Sequence, residues 1–194
     1  MTDSKAPNVG TKLQLRPNDT VSEADRPVRK PKPRLNRQDY TGRRTYHITL
    51  IVNSRAELPS DLELASKCEA VLIETAATLQ FTLLAYCFMP DHLHVLLHGD
   101  SPRSDLLRFV QRFKQITGYR FKHETGDHLW QQSFHDRVLR LDESRDDVSR
   151  YIFDNPSEAA LPLESPAFQL RGGDFFRRLV VSDGAKAASL HSAV

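Results

Sequence analysis

Two apolar runs, FTLLAYCF at residues 81–88 and HLHVLLH at residues 92–98, are separated only by Met89, Pro90 and Asp91. A parallel crossover needs a dozen or more residues, so a link this short joins antiparallel neighbours. This hairpin predicts a mainly antiparallel sheet, and the rest of the middle of the chain is read around it. Residues 45–53, TYHITLIVN, are rich in β-branched and aromatic side chains and read as a strand preceding the hairpin. Ser60-Asp-Leu-Glu63 has the form of a capping box, and Leu64, Cys68, Val71, Leu72, Ala76 and Leu79 recur at spacings of three and four. A helix is expected there, ending before Phe81. Ser101-Pro102 reads as an N-cap with proline at the first helical position. The helix it opens would bury Leu106, Leu107, Phe109, Val110, Phe113 and Ile116, and would set Arg108 and Arg112 together on a basic face. Residues 129–139 are irregular and then strand-like, and Ser144 to Asp147 caps a last helix through Tyr151. The order β-α-β-β-α-β-α predicts an α+β fold with helices on one face of a mainly antiparallel sheet.

At 194 residues, 39% of them hydrophobic, the chain has material for one domain with tails and is not disordered throughout. Its net charge of +2 hides an uneven distribution. Lys and Arg crowd the N-terminus among Pro7, Pro17, Pro27, Pro31 and Pro33, with few apolar neighbours. Residues 1–42 are therefore expected to be a disordered basic arm, serving either to attract nucleic-acid phosphate or to keep the chain in solution. Residues 43–165 are expected to form the folded domain, and residues 166–194 a loosely structured extension ending in small polar residues. No apolar stretch approaches the roughly 20 residues that span a bilayer, and the N-terminus lacks the apolar core of a secretory signal. A cytoplasmic protein with no membrane contact is expected. Cys68 and Cys87 each sit in an apolar run and read as reduced core residues.

Alternation along a strand places His92 and His94 on one face, with Leu93 turned the other way. Two neutral imidazoles on a rigid element can hold one divalent ion, but a His-x-His pair is common by chance and, taken alone, is more often exposed or hydrogen-bonded histidines without a metal. His98 shares their parity but lies further along and reads as a surface residue. Tyr151 and Asn155 are four apart and share a helix face, with Val148 and Ile152 available to pin that helix to the sheet. From spacing alone Tyr151 is a half-buried packing residue. Trp130 and Phe134 read as core.

Three motifs taken in order carry more: YCFMPDHLHVLL at residues 86–97, LWQQSFHDRVLR at 129–140 and YIFDNP at 151–156. Together, over about residues 43–162, they resemble the REP-associated tyrosine transposases, a branch of the single-tyrosine HUH transposases of insertion sequences. The resemblance implies a ferredoxin-like α+β domain whose central strand carries metal-ligating histidines and whose later helix carries the nucleophile. It implies His92 and His94 as metal ligands, Asn155 as a polar third ligand and Tyr151 as the catalytic tyrosine. The expected metal is Mg²⁺ or Mn²⁺. The expected activity is cleavage and joining of single-stranded or hairpin DNA through a 5′-phosphotyrosine, by a monomer or homodimer. DNA phosphates would be met by Arg103, Arg108, Arg112, Lys114, Arg120 and Lys122 and by the arm. The chain departs from the pattern in its long basic arm and in lacking the Trp-Ser-Ser-type segment after the tyrosine motif. Two other readings stay open: a DNA-binding relative that has lost cleavage, and an unrelated metal-dependent hydrolase. The first must explain why Tyr151 and both histidines are present. The second lacks carboxylates clustered at the histidines and leaves Tyr151 without a role.

Overall fold

The structure is a computed structural model that describes residues 36–53 and 62–178. Its strands are β1 (Thr45–Ile51), β2 (Phe81–Phe88), β3 (His92–Gly99), β4 (His135–Val138) and β5 (Arg171–Gly172), and its α-helices are α1 (Leu62–Thr78), α2 (Leu106–Thr125) and α3 (Arg145–Glu158). The strands form one sheet in the order β4-β1-β3-β2-β5, and all four neighbouring pairs are antiparallel. The fold is α+β, and the hairpin of β2 and β3 lies at its centre as the short link required.

Period-two alternation splits β3 between two cores. Leu93, Val95 and Leu97 join Ile48 and Leu50 of β1, Leu72 of α1, and Phe109 and Phe113 of α2. Leu96 joins Cys87 of β2, Leu139, Ile152 of α3 and Ala167 on the opposite face. The expectation of helices on one face is corrected here: α1 and α2 cover one side and α3 the other. β2 is apolar on both faces, with Phe81, Tyr86 and Phe88 in the first cluster and Ala85 and Cys87 in the second, and such a strand must be covered twice, because each bare face would leave apolar area in water at about 25 cal/mol per Å².

Other local readings are refined in the same way. α2 starts later than Ser101-Pro102: Asp105 is its N-cap and accepts from the Arg108 amide at 3.0 Å. Ser101 closes a turn instead, and buried Ser104 donates to the Gln80 carbonyl at 2.6 Å, tying that turn to the start of β2. Leu107 is exposed, not buried. Ser144 caps α3 as expected, accepting from the Asp147 amide. Cys68 and Cys87 are free and buried. The Ser60 end of the α1 capping box lies outside the described residues. So does the arm up to residue 35, but residues 36–42 already belong to the domain: Tyr40 is buried and its hydroxyl donates to Asp136 at 3.0 Å. The expected loose extension is likewise ordered over residues 166–178, where β5 pairs with β2 and the Arg171 guanidinium lies 3.7 Å from the Phe153 ring centroid.

Gly99 closes β3 where the chain before β1 crosses it. A Cβ there would overlap the Gly42 carbonyl oxygen and stand 3.0 Å from Ser104 Cβ. Gly99→Ala should therefore cost about 2 kcal/mol, by analogy with overpacked cores. A thermal midpoint equal to the parent's would show that residues 42–44 yield freely.

Candidate active site

The pairing of β1 with β3 builds the site. Thr49 stands opposite His94, Ile51 opposite His92 and His47 opposite Leu96, so His47, Thr49, His92 and His94 share the face covered by α3. The Nε2 atoms of His92 and His94 approach to 3.0 Å. Each ring is held from its other nitrogen. Asp91 Oδ1 lies 2.6 Å from His92 Nδ1, and a carboxylate only accepts, so this nitrogen carries a proton. His94 Nδ1 lies 3.0 Å from Thr49 Oγ1 and 3.3 Å from His47 Nε2. Both imidazoles thus present Nε2 to one point.

Burial, followed by the charges of His92 and His47, pushes the His94 pKa down to about 3. Burial, followed by the Arg137 guanidinium, pushes His47 down to about 4. Both rings are neutral at neutral pH, the form in which imidazole binds a metal. The unfolded chain takes up these protons near the ordinary histidine value of 6.5, whereas the folded chain refuses them until about 4 and 3. Between those limits the unfolded state binds more protons, so stability is lost as pH falls. In the presence of a chelator, acidifying from about pH 7 to about pH 5 should lower stability by on the order of 1 kcal/mol per histidine. His47→Gln should flatten that slope in denaturant titrations; an undiminished slope would assign the acid sensitivity to other groups.

Tyr151 projects from the second turn of α3. Its ring centroid is 6.2 Å from that of His94, and the residue is 53% exposed, so its ring lies beside the histidines with access from solvent. Val148 and Ile152 pack α3 against the sheet, which holds the tyrosine at that place. Asn155 follows one turn later and is half-buried, with its amide nitrogen 3.5 Å from the Tyr151 carbonyl oxygen. Among the described residues no group of three His, Cys, Asp or Glu side chains gathers as a metal cage. His98 is taken up by Thr45, whose Oγ1 lies 3.1 Å from its Nδ1.

The basic residues fall elsewhere. Arg103 is exposed in the turn before α2, and Arg108, Arg112, Arg120 and Lys122 are exposed along α2, which packs on the sheet face opposite the histidines. Lys114 is engaged within the fold: its ammonium donates to the carbonyls of Gln131, Gln132 and Ser133, and burial lowers its pKa. The structure therefore gathers His92, His94 and Tyr151 and separates them from the α2 cations. It also adds Thr49, His47 and Asp91, which sequence reasoning missed. The alternation of His47 and Thr49 along residues 45–53 was visible, but their register with His94 was not.

No helix among the described residues is long and apolar enough to cross a membrane. No curated protein matches the chain. Among solved structures it is similar to the REP-associated tyrosine transposase bound to a REP hairpin, at 20% identity and TM-score 0.52 over 68% of this chain and 76% of that one. It is also similar to a candidate transposase from Deinococcus radiodurans R1, at 24% identity and TM-score 0.44 over 63% of this chain and 95% of that one. At these identities the first likeness supports the fold alone. The profile of the family described as Transposase IS200 like matches residues 41–155, which contain the hairpin, both histidines and the tyrosine. The match spans more than half of the sequence, and the chain belongs to the IS200-like transposase family.

Proposed function

We propose that this transposase-family chain cleaves and rejoins single-stranded DNA, with Tyr151 as nucleophile and His92 and His94 as ligands of a divalent ion. The observation that carries this reading is the half-exposed Tyr151 ring 6.2 Å from that of His94, whose Nε2 meets that of His92. The pair suits an ion. Two nitrogens each about 2.1 Å from one centre and at right angles to each other stand about 3.0 Å apart, the separation found here. The second nitrogen of each ring is occupied by Asp91 or by Thr49 with His47, as metal-ligating histidines require. With two protein nitrogens and no carboxylate cage, most coordination positions are left to phosphate oxygen, to water or to Asn155, if its amide turns from the Tyr151 carbonyl. Mg²⁺ or Mn²⁺ fits such an open site. When bound, the ion offsets the charge that develops on the phosphate during displacement.

The chain's own residues supply the rest. The Tyr151 oxygen attacks the phosphorus and loses its proton to solvent. A phosphotyrosine ester forms on the 5′ side of the downstream strand, and the bond to the upstream 3′ oxygen breaks, leaving a 3′-hydroxyl. The reverse displacement by a 3′-hydroxyl restores a phosphodiester and releases Tyr151, so joining needs no nucleotide cofactor. Hairpin-bearing DNA is the proposed substrate, supported by the REP hairpin bound to the solved relative. Incubating the chain with 3′-labelled hairpin DNA and Mn²⁺ should give a labelled protein band that survives denaturation. A chain that binds the hairpin yet never becomes labelled under Mg²⁺ or Mn²⁺ would be a DNA-binding relative without cleavage.

A further inference from the structure

A groove of about 540 Å³ runs between α2 and residues 128–134. Leu107, Val110 and Trp130 give it apolar walls, and Gln115, Tyr119 and Lys122 also line it. A second hollow of about 440 Å³ shares Gln115 and Tyr119 with the first and adds Arg112 and Arg120. Tyr119 is therefore a ridge between two hollows, and it is 73% exposed. Among the described residues, those lining either hollow include no Asp or Glu. An exposed ring beside apolar walls, with side-chain amides and cations lacking a facing carboxylate, is the chemistry that receives an unpaired base and neutralises its phosphates.

The groove also lies at the right end of the sheet. The Gln131 amide donates to the Ile51 carbonyl at 2.9 Å, and Ile51 stands opposite His92. The groove wall is thus two strand spacings, about 10 Å, from the His92 backbone. Residues 128–134 lead into β4, the edge strand, so a strand leaving the histidine pair reaches the groove around that edge within a few nucleotides. The two hollows take in Arg112, Arg120 and Lys122, α2 cations that the site itself leaves unused.

Resting on the DNA reading above, we propose that this groove binds an unpaired nucleotide of the substrate strand. Its base stacks on Tyr119 and its neighbouring phosphates meet Arg112, Arg120 and Lys122, across the sheet from the reacting phosphate.

The test compares the full chain with Tyr119→Ala and Tyr119→Phe, in EDTA so that no strand is cut. The probes are a blunt hairpin and the same hairpin with thymidylate flanks of about eight nucleotides, with binding read by fluorescence anisotropy. Tyr119→Ala should bind the flanked hairpin about tenfold more weakly and the blunt hairpin as the parent does, while Tyr119→Phe keeps the parent's affinity for both. Parent-like affinity of Tyr119→Ala for the flanked hairpin overturns the groove, as does an equal loss on both probes. A parent that binds neither probe overturns the DNA reading itself, a result distinct from failure of the groove alone.

Discussion

Tyr151→Phe should abolish labelled adduct and strand cleavage, lowering the rate by about 10³-fold or more, while leaving the fold and hairpin binding intact. The substitution removes one oxygen from a residue that is 53% exposed. Among the described residues no hydrogen bond holds that hydroxyl, so folding should change by less than about 1 kcal/mol. The ring remains beside His94, and the basic residues are untouched. Cleavage at the parent's rate would make water or another side chain the nucleophile, and the unrelated-hydrolase reading would then replace the one proposed here.

His92→Ala together with His94→Ala should eliminate cleavage by a different route, through loss of Mn²⁺ binding measured by calorimetry. Hairpin affinity in EDTA should stay near the parent's, because the exposed basic residues along α2 are untouched. His94 is buried against Thr49 and His47, and its removal leaves their polar atoms short of a partner at a cost of about 1–3 kcal/mol. His92→Ala alone is the milder companion: its side chain is partly exposed and bonded to Asp91 at the surface, so the fold should persist while metal affinity drops. Undiminished Mn²⁺ affinity in the double variant would place the ion elsewhere and remove the histidines from the chemistry. Tyr151→Phe should keep metal binding, so the two variants separate the nucleophile from the ion site.

The elements that position this chemistry were legible because they rest on local rules. A three-residue link between apolar runs enforced an antiparallel hairpin, and alternation alone put His92 and His94 on one face of it. Ser144 announced the start of the helix that carries Tyr151. The error at Ser101-Pro102 shows the limit of such rules. Ser101-Pro102 had the form of a cap, but α2 is capped by Asp105, four residues on, because Ser104, buried against the Gln80 carbonyl, holds the earlier residues in a turn.

The sequence by itself determined the order of the elements, the antiparallel sheet, the shared face of the two histidines and the helix that carries the tyrosine. Each follows from spacing within one segment. Tertiary structure alone decided that α3 covers the histidine face while α2 covers the other. It also set Thr49 and His47 behind His94, engaged Lys114 with backbone carbonyls, and made residues 171–172 a fifth strand. These outcomes depend on strand register and on which apolar face must be hidden from water, and both are fixed between residues distant in sequence. Periodicity can show that a helix has an apolar stripe, but β2, apolar on both faces, offers that stripe two places to pack, and only the assembled sheet decides between them.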